Sequence, residues 1–194
     1  MLRLSFLVLS AIVVVVSGSV PHGHLSNASA KPPKKLIPSG TVNPVVPLKP
    51  KPKVNRFLIA HNAVREHLGE PPLTWDNGLA RYARRFAETR VADCKMLHSD
   101  GEYGENIFWG KTSRWTPEKI VGVWVDEAIY YDPSTNSCTE GQMCGHYTQV
   151  VWRDSLRCGC ARVECAGGAG IYAICVYDPP GNYIGEDPFQ HFTY

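Results

Sequence analysis

Seven cysteines fall between residues 94 and 175, and their spacing limits what the chain can fold into more than any other feature. Three of them sit in one run, "LRCGCARVEC", and after "AGGAG" another follows in "IYAICVYD". Both runs are rich in β-branched and aromatic residues and read as strands, and the glycines between them read as a hairpin turn. A turn centred near Gly167 and Gly168 sets Cys160 opposite Cys175. Facing positions bring Cβ atoms about 4.5–5.5 Å apart, close enough to bridge with modest adjustment. Cys165 differs in parity from Cys160, so it points to the other face and needs a partner off the hairpin. Cys94 is the distant candidate, while Cys138 and Cys144 are near enough in sequence to close a small loop. Cys158 is left over, two residues before Cys160 and on the same face. An odd cysteine means a free thiol, an intermolecular bridge or a different pairing.

Disulfides persist in oxidising compartments, and the start of the chain fits export. Arg3, the apolar run "LSFLVLSAIVVVV" and the small residues "SGS" read as a signal peptide over residues 1–19, cleaved after Ser19. The run is shorter than the ~20 apolar residues of a comfortable membrane span. The expected location is extracellular, as a secreted protein.

Residues 20–54 form a basic, proline-rich tail. From Val20 to Arg56 there are seven basic residues and no acidic one; from Phe57 onward 12 basic face 18 acidic residues. The formal net charge of +2 therefore hides a basic tail on an acidic body. Regular proline predicts an extended, polyproline-like segment. Asn27-Ala28-Ser29 is a glycosylation sequon. Such a tail is either a solvated spacer or a binder of polyanions, such as acidic cell-wall polysaccharide or anionic lipid headgroups.

Residues 55–194 read as one domain. "NRFLIAHNAVREHLG" offers Asn55 as N-cap, Phe57, Ala60, Val64 and Leu68 at helical spacing, and Gly69 as a stop. "WDNGLARYARRFAETRVADC" repeats the pattern with Asp76 as cap and Leu79, Tyr82, Ala83, Phe86 and Ala87 on one stripe. "TPEKIVGVWVDEAIYY" opens with Thr116 and Pro117 and turns Ile120, Val121, Trp124 and Ala128 inward. "YTQVVW" joins the two later runs as a strand. Helices followed by antiparallel strands give an α+β layered domain.

Familiar catalytic devices are missing: no H-E-x-x-H, G-x-S-x-G, P-loop or EF-hand loop occurs. A Cys158–His146 nucleophile pair is conceivable, but a strand cysteine beside two others reads as structural. His98, Glu105, Glu127 and His146 remain. Two imidazoles and two carboxylates suit a divalent metal or acid–base work. The plainer alternative is a set of hydrogen-bonded polar residues between helices and sheet.

The stretches "HNAVREHLGEPPLTWDNGLARYA", "HSDGEYGENIF", "VWVDEAIYYDPSTNSC", "MCGHYTQVVWRDSLRCGCARVEC" and "CVYDPPGNYIGEDPF" closely resemble the plant pathogenesis-related class 1 proteins of the CAP superfamily. The resemblance implies a three-layer α-β-α sandwich with a central antiparallel sheet, stapled by Cys94–Cys165, Cys138–Cys144 and Cys160–Cys175, with Cys158 as the added thiol. It also implies that His98, Glu105, Glu127 and His146 line a central cleft. No cofactor is required, though a weakly bound divalent metal such as zinc is compatible with that set. The function implied is non-catalytic plant defence, antifungal or anti-oomycete, through sterol or other lipid. The lipid contact falls on the loop from Tyr130 to Gln142, with Tyr130 and Tyr131 as contact surface. A metal-dependent hydrolase is the alternative, and polyanion binding through the tail another. Nucleic acid is not an expected partner, and the chain is expected as a monomer. Val176 and Phe189 depart from the family's C-terminal peptide signal, as does the added "QHFTY".

Overall fold

The computed structural model describes residues 55–190. The signal peptide, the basic tail and the Asn27 sequon lie outside the described residues.

Side-chain caps fix the helix starts. Asn55 Oδ1 accepts from the N–H groups of Phe57 and Leu58 to open α1 (Arg56–Leu68), and Gly69 ends it in the left-handed region at φ 75°. A two-residue strand, β1 (Thr74–Trp75), leads to Asp76, whose Oδ1 accepts from Gly78 and Leu79 at the start of α2 (Asn77–Thr89). After β2 (Gly104–Gly110), Thr116 and Pro117 open α3 (Pro117–Val125). The helix expected to run on to Tyr131 tightens instead into a 3₁₀ turn, Asp126–Tyr130. A small hairpin follows, β3 (Tyr131–Asp132) with β4 (Ser137–Cys138).

"YTQVVW" is not a strand. It lies in α4 (Gly145–Val151), in which every residue from Tyr147 to Val151 is buried. A helix enclosed on all sides is apolar at successive positions, as a buried strand is, and periodicity does not separate the two. The long hairpin β5 (Arg157–Glu164) and β6 (Ile171–Asp178) closes the fold, with Cys160 opposite Cys175.

The main sheet runs β1-β5-β6-β2. It is mixed and not purely antiparallel, because β1 runs parallel to β5 and is held there by Thr74 N–H to Leu156 O and Asp76 N–H to Cys158 O. Side chains of β6 alternate between two cores. Ala173, Cys175 and Tyr177 meet Phe57, Trp124 and Val150 from α1, α3 and α4, whereas Tyr172, Ile174 and Val176 meet Leu79, Ala83 and Ala87 of α2. Helices thus cover both faces, giving the α-β-α sandwich. Gly159 permits the contact with α2, since a Cβ there would fall on the main chain of Leu79 and Ala80.

Disulfides join Cys94 to Cys165, Cys138 to Cys144, and Cys160 to Cys175; Cys158 is free and buried.

The inner face of α1 differs from the apolar stripe. Phe57, His61 and Arg65 are buried, while Leu68 is 39% exposed. Both polar side chains are satisfied internally, as burial demands. Arg65 donates to the carbonyls of Pro71, Val150, Trp152, Arg153 and Ser155. His61 Nδ1 lies 2.8 Å from Phe57 O and Nε2 lies 2.7 Å from the Tyr177 hydroxyl. Burial lowers the His61 pKa to about 4. The ring is therefore neutral at ordinary pH, with Nδ1–H donating to the carbonyl and Tyr177 donating to Nε2.

Candidate functional site

The segment that follows Cys94 delivers His98 and Ser99 to the start of β2. Glu105, the second residue of that strand, accepts from Ser99 N–H at 2.9 Å and from the Ser99 hydroxyl, and its Oε2 lies 3.1 Å from His98 Nδ1. Since Ser99 donates to the carboxylate, Tyr82 donates to Ser99 across their 2.6 Å contact. The Glu105 side chain is 4% exposed and that of His98 is 66% exposed, so a fixed carboxylate steadies an open imidazole.

A second pair forms where the 3₁₀ turn meets α4. Glu127 Oε2 accepts from His146 N–H at 2.9 Å, satisfying an otherwise orphaned helical donor, and its Oε1 lies 2.6 Å from His146 Nδ1. The imidazole stacks on Trp124 with an interplanar angle of 17°. Asn106 donates to the carbonyl of His146 at 2.9 Å. His146 accordingly belongs to the first turn of a helix and not to the start of a strand.

Successive residues of β2 leave opposite faces. Phe108, of Asn106 parity, packs with α3 and α4, while Ile107, of Glu105 parity, packs with α2. Glu105 and Asn106, adjacent on β2, therefore serve different pairs: Glu105 accepts from Ser99 beside His98, and Asn106 holds the main chain of His146. The structure joins His98 to Glu105 and Glu127 to His146. Among the described residues, no three His, Cys, Asp or Glu side chains form a group that could hold a metal ion.

The loop from Tyr130 to Gln142 builds a different feature. Between the turn closed by Cys138–Cys144 and residues 182–188 lies a groove of about 240 Å³, with Tyr131, Trp152 and Tyr183 among its lining residues. Its far wall is strapped to α4: Asn182 donates to Gly145 O at 2.8 Å, Thr148 donates to Asn182 Oδ1 at 2.7 Å, and Gly181 N–H donates to Gln149 Oε1 at 3.0 Å. Tyr131 donates to Asn136 Oδ1 at 3.0 Å and backs onto the rings of Tyr147 and Phe189. Burial pushes its phenol up to about 12. Tyr130 is half-buried and does not line the groove. A cleft of about 300 Å³ beside His98 and Glu105 shares Asn182 with the groove. Trp152, Tyr183 and Asn182 were missed from sequence; the dense aromatic and amide content of "YDPPGNY" was the signal that could have found the last two.

Comparison with known proteins follows the same outline. The model of the CAP, Cysteine-rich secretory protein family, matches residues 58–177. Pathogenesis-related protein 1B of Nicotiana tabacum is 53% identical over 133 residues, covering 69% of this chain and 79% of that protein. Pathogenesis-related protein PR-1 of Medicago truncatula is 50% identical over 135 residues, covering 70% and 78%. Among solved structures, BmVAL-1 superposes with a TM-score of 0.60 at 22% identity, covering 73% of this chain and 85% of that one. Na-ASP-1 gives 0.60 at 23% identity over 69% of this chain, which spans 40% of its length. NaASP2 with Zn²⁺ gives 0.54 at 22% identity over 69% and 83%. At these identities the solved structures establish the fold alone.

Proposed function

The chain belongs to the CAP, cysteine-rich secretory protein, family, and on that premise we propose that it is a secreted plant defence protein acting by binding sterol or a related lipid, without catalysis. Its curated relatives are plant pathogenesis-related proteins. The observation that carries the lipid reading is the groove walled by Tyr131, Trp152 and Tyr183. Its volume of about 240 Å³ is below the ~300–1,000 Å³ of sites that engulf a drug-sized ligand, so it takes one end of a sterol. Asn182 and Thr148 offer polar partners to a sterol hydroxyl at that end. Exposed Met143 and Ile184, next in sequence to the lining residues Cys144 and Tyr183, extend the apolar surface. Antifungal and anti-oomycete action follows in this reading from withdrawal of membrane sterol.

The test uses full-length protein and ergosterol or sitosterol, with bound ligand counted by native mass spectrometry. Tyr183→Ser and Tyr131→Ala weaken binding, whereas Tyr130→Ala leaves it unchanged. Equal affinity in all three variants would sink the groove assignment.

A weak divalent metal site is the second reading. Each imidazole has its Nδ1 fixed by a carboxylate, which leaves Nε2 as the nitrogen for a metal, an arrangement typical of ligating histidines. A catalytic zinc takes three protein ligands. Two imidazoles do not supply that number, so the donor set fits a loosely held, exchangeable zinc and does not fit a metal-dependent hydrolase. The basic tail remains a proposed binder of acidic cell-wall polysaccharide on its charge alone.

A further inference from the structure

The outer edge of β5 opens into a trough whose charge opposes that of the body around it. From Phe57 onward acidic residues outnumber basic ones by 18 to 12. Yet a depression of about 520 Å³ along this edge is lined by Arg81, Arg84 and Arg162 and by no acidic residue. Through the shared Phe57 and Asn77 it continues into a second depression of about 650 Å³ that reaches Trp75.

The trough exists because β1 is short. It pairs only with Arg157 and Cys158, leaving the rest of that β5 edge without a strand. Leu156 and Cys158 turn their carbonyls outward to Thr74 and Asp76. Alternation along the strand directs the main-chain groups of Cys160 and Arg162 to the same side, toward the trough. Arg84 already donates to Arg162 O at 3.3 Å. Arg81 and Arg84 are three apart on α2 and so share a face of the helix. Both are exposed, and among the described residues Arg84 makes one ion pair, a loose 3.9 Å contact with an exposed Glu88, of little energetic weight.

We propose that this trough binds a carboxylated oligosaccharide, a short uronate chain. Guanidinium forks match carboxylates in geometry and stay charged at every relevant pH. The half-buried Trp75 offers an apolar ring for a sugar face. Asn77 accepts from Trp75 Nε1–H at 3.2 Å, which leaves its amide NH₂ for sugar hydroxyls. A recess along a sheet edge, beneath a helix, admits a chain more readily than a flat anionic bilayer. The proposal rests on neither the sterol groove nor the charge of residues 20–54, and it stands if either of those readings falls.

The test titrates full-length protein with oligogalacturonate by calorimetry, at low and at physiological salt. Arg81→Glu with Arg84→Glu should weaken binding about tenfold or more, the loss expected for one or two charge-assisted hydrogen bonds. Arg81→Lys with Arg84→Lys keeps the charge without the fork and should fall between. Unchanged melting temperatures show that both variants are folded. Changing Lys49, Lys51 and Lys53 to Ser should leave the tenfold difference intact, which separates the trough from the tail. The methyl-esterified oligomer should lose the arginine-dependent part of the affinity. Affinity unchanged by charge reversal overturns the proposal, as does a loss produced by the tail variant alone. An arginine-dependent binding of phosphatidylserine vesicles without any of oligogalacturonate also overturns it.

Discussion

Replacing Cys158 by valine should alter the pH dependence of stability more than stability itself. The thiol is fully buried on β5, opposite Tyr177 and among Phe57, Trp124, Val150 and Val151. A valine is close to it in size and shape, so near neutral pH the variant should lie within ~1.5 kcal/mol of the parent. The alkaline limb differs. Burial raises the thiol pKa from 9.0 to about 12, with the Arg65 charge pulling the other way. A group whose folded pKa lies above its unfolded value stabilises the fold fully below the unfolded pKa. That contribution fades as pH rises from about 9 to about 12. At pH 10 an unfolded thiol of pKa 9.0 is mostly ionised and the folded one hardly at all, a loss of roughly 1.4 kcal/mol. The variant has no such group and should gain that amount on the parent between pH 7.5 and pH 10. Urea unfolding of both proteins at the two pH values, with acid quenching to prevent exchange, measures the difference. Burial is the chief cause of the raised Tyr172 and Tyr177 in both proteins; the further push of Cys158 on Tyr177 needs the thiolate, which forms only near pH 12, outside the window compared. A constant difference across the two pH values would refute the argument. So would rapid alkylation of Cys158 in the native parent, because burial and a raised pKa both oppose it.

The His61 pKa is depressed from 6.5 to about 4, so its stabilising contribution is present above pH 6.5 and lost as pH falls through 4. His61→Gln should remove about 3 kcal/mol of that acid sensitivity, read from chemical denaturation at pH 7 and pH 4. Gly159→Ala should cost about 1–3 kcal/mol in the urea midpoint, since the new methyl must displace the main chain of α2. Zinc, titrated by calorimetry, should bind weakly to the parent and not to His98→Ala with His146→Ala; binding that survives both changes places the metal elsewhere.

What could be read in the sequence was what repeats or alternates along it. Asn55, Asp76 and Thr116 announce helices because a cap is a local device, its donor and acceptor two or three residues apart. The turn centre at Gly167 and Gly168 set Cys160 against Cys175, and the hairpin register has them opposite. The inner face of α1 was not legible, because hydropathy scores His61 and Arg65 as outward. Their acceptors come from Phe57 four residues back and from carbonyls as much as 90 residues away. α4 was misread because the β-branched residues of "YTQVV" signal burial as strongly as strand. β1 escaped notice since two residues carry no period, yet its direction makes the sheet mixed and its brevity opens the arginine trough. The candidate histidines and glutamates were recognisable by type, but their division into two pairs depends on tertiary contacts, of the segment after Cys94 with β2 and of the 3₁₀ turn with α4.

Arg65 makes one kinetic unit of parts that look separate. Its guanidinium ties α1 to the carbonyls that follow α4, including Trp152 O at 2.7 Å, and Trp152 also lines the groove. Opening that wall by itself would strand a buried cation and several carbonyls without partners, so α1 and residues 150–155 open together or not at all. Their amides should therefore exchange with solvent hydrogen at a common slow rate, close to that of global unfolding. A ligand of the groove would then enter and leave past residues 183–187, between the bonds that hold Asn182 to α4 and Pro188 to Arg153, and exchange there should be fast.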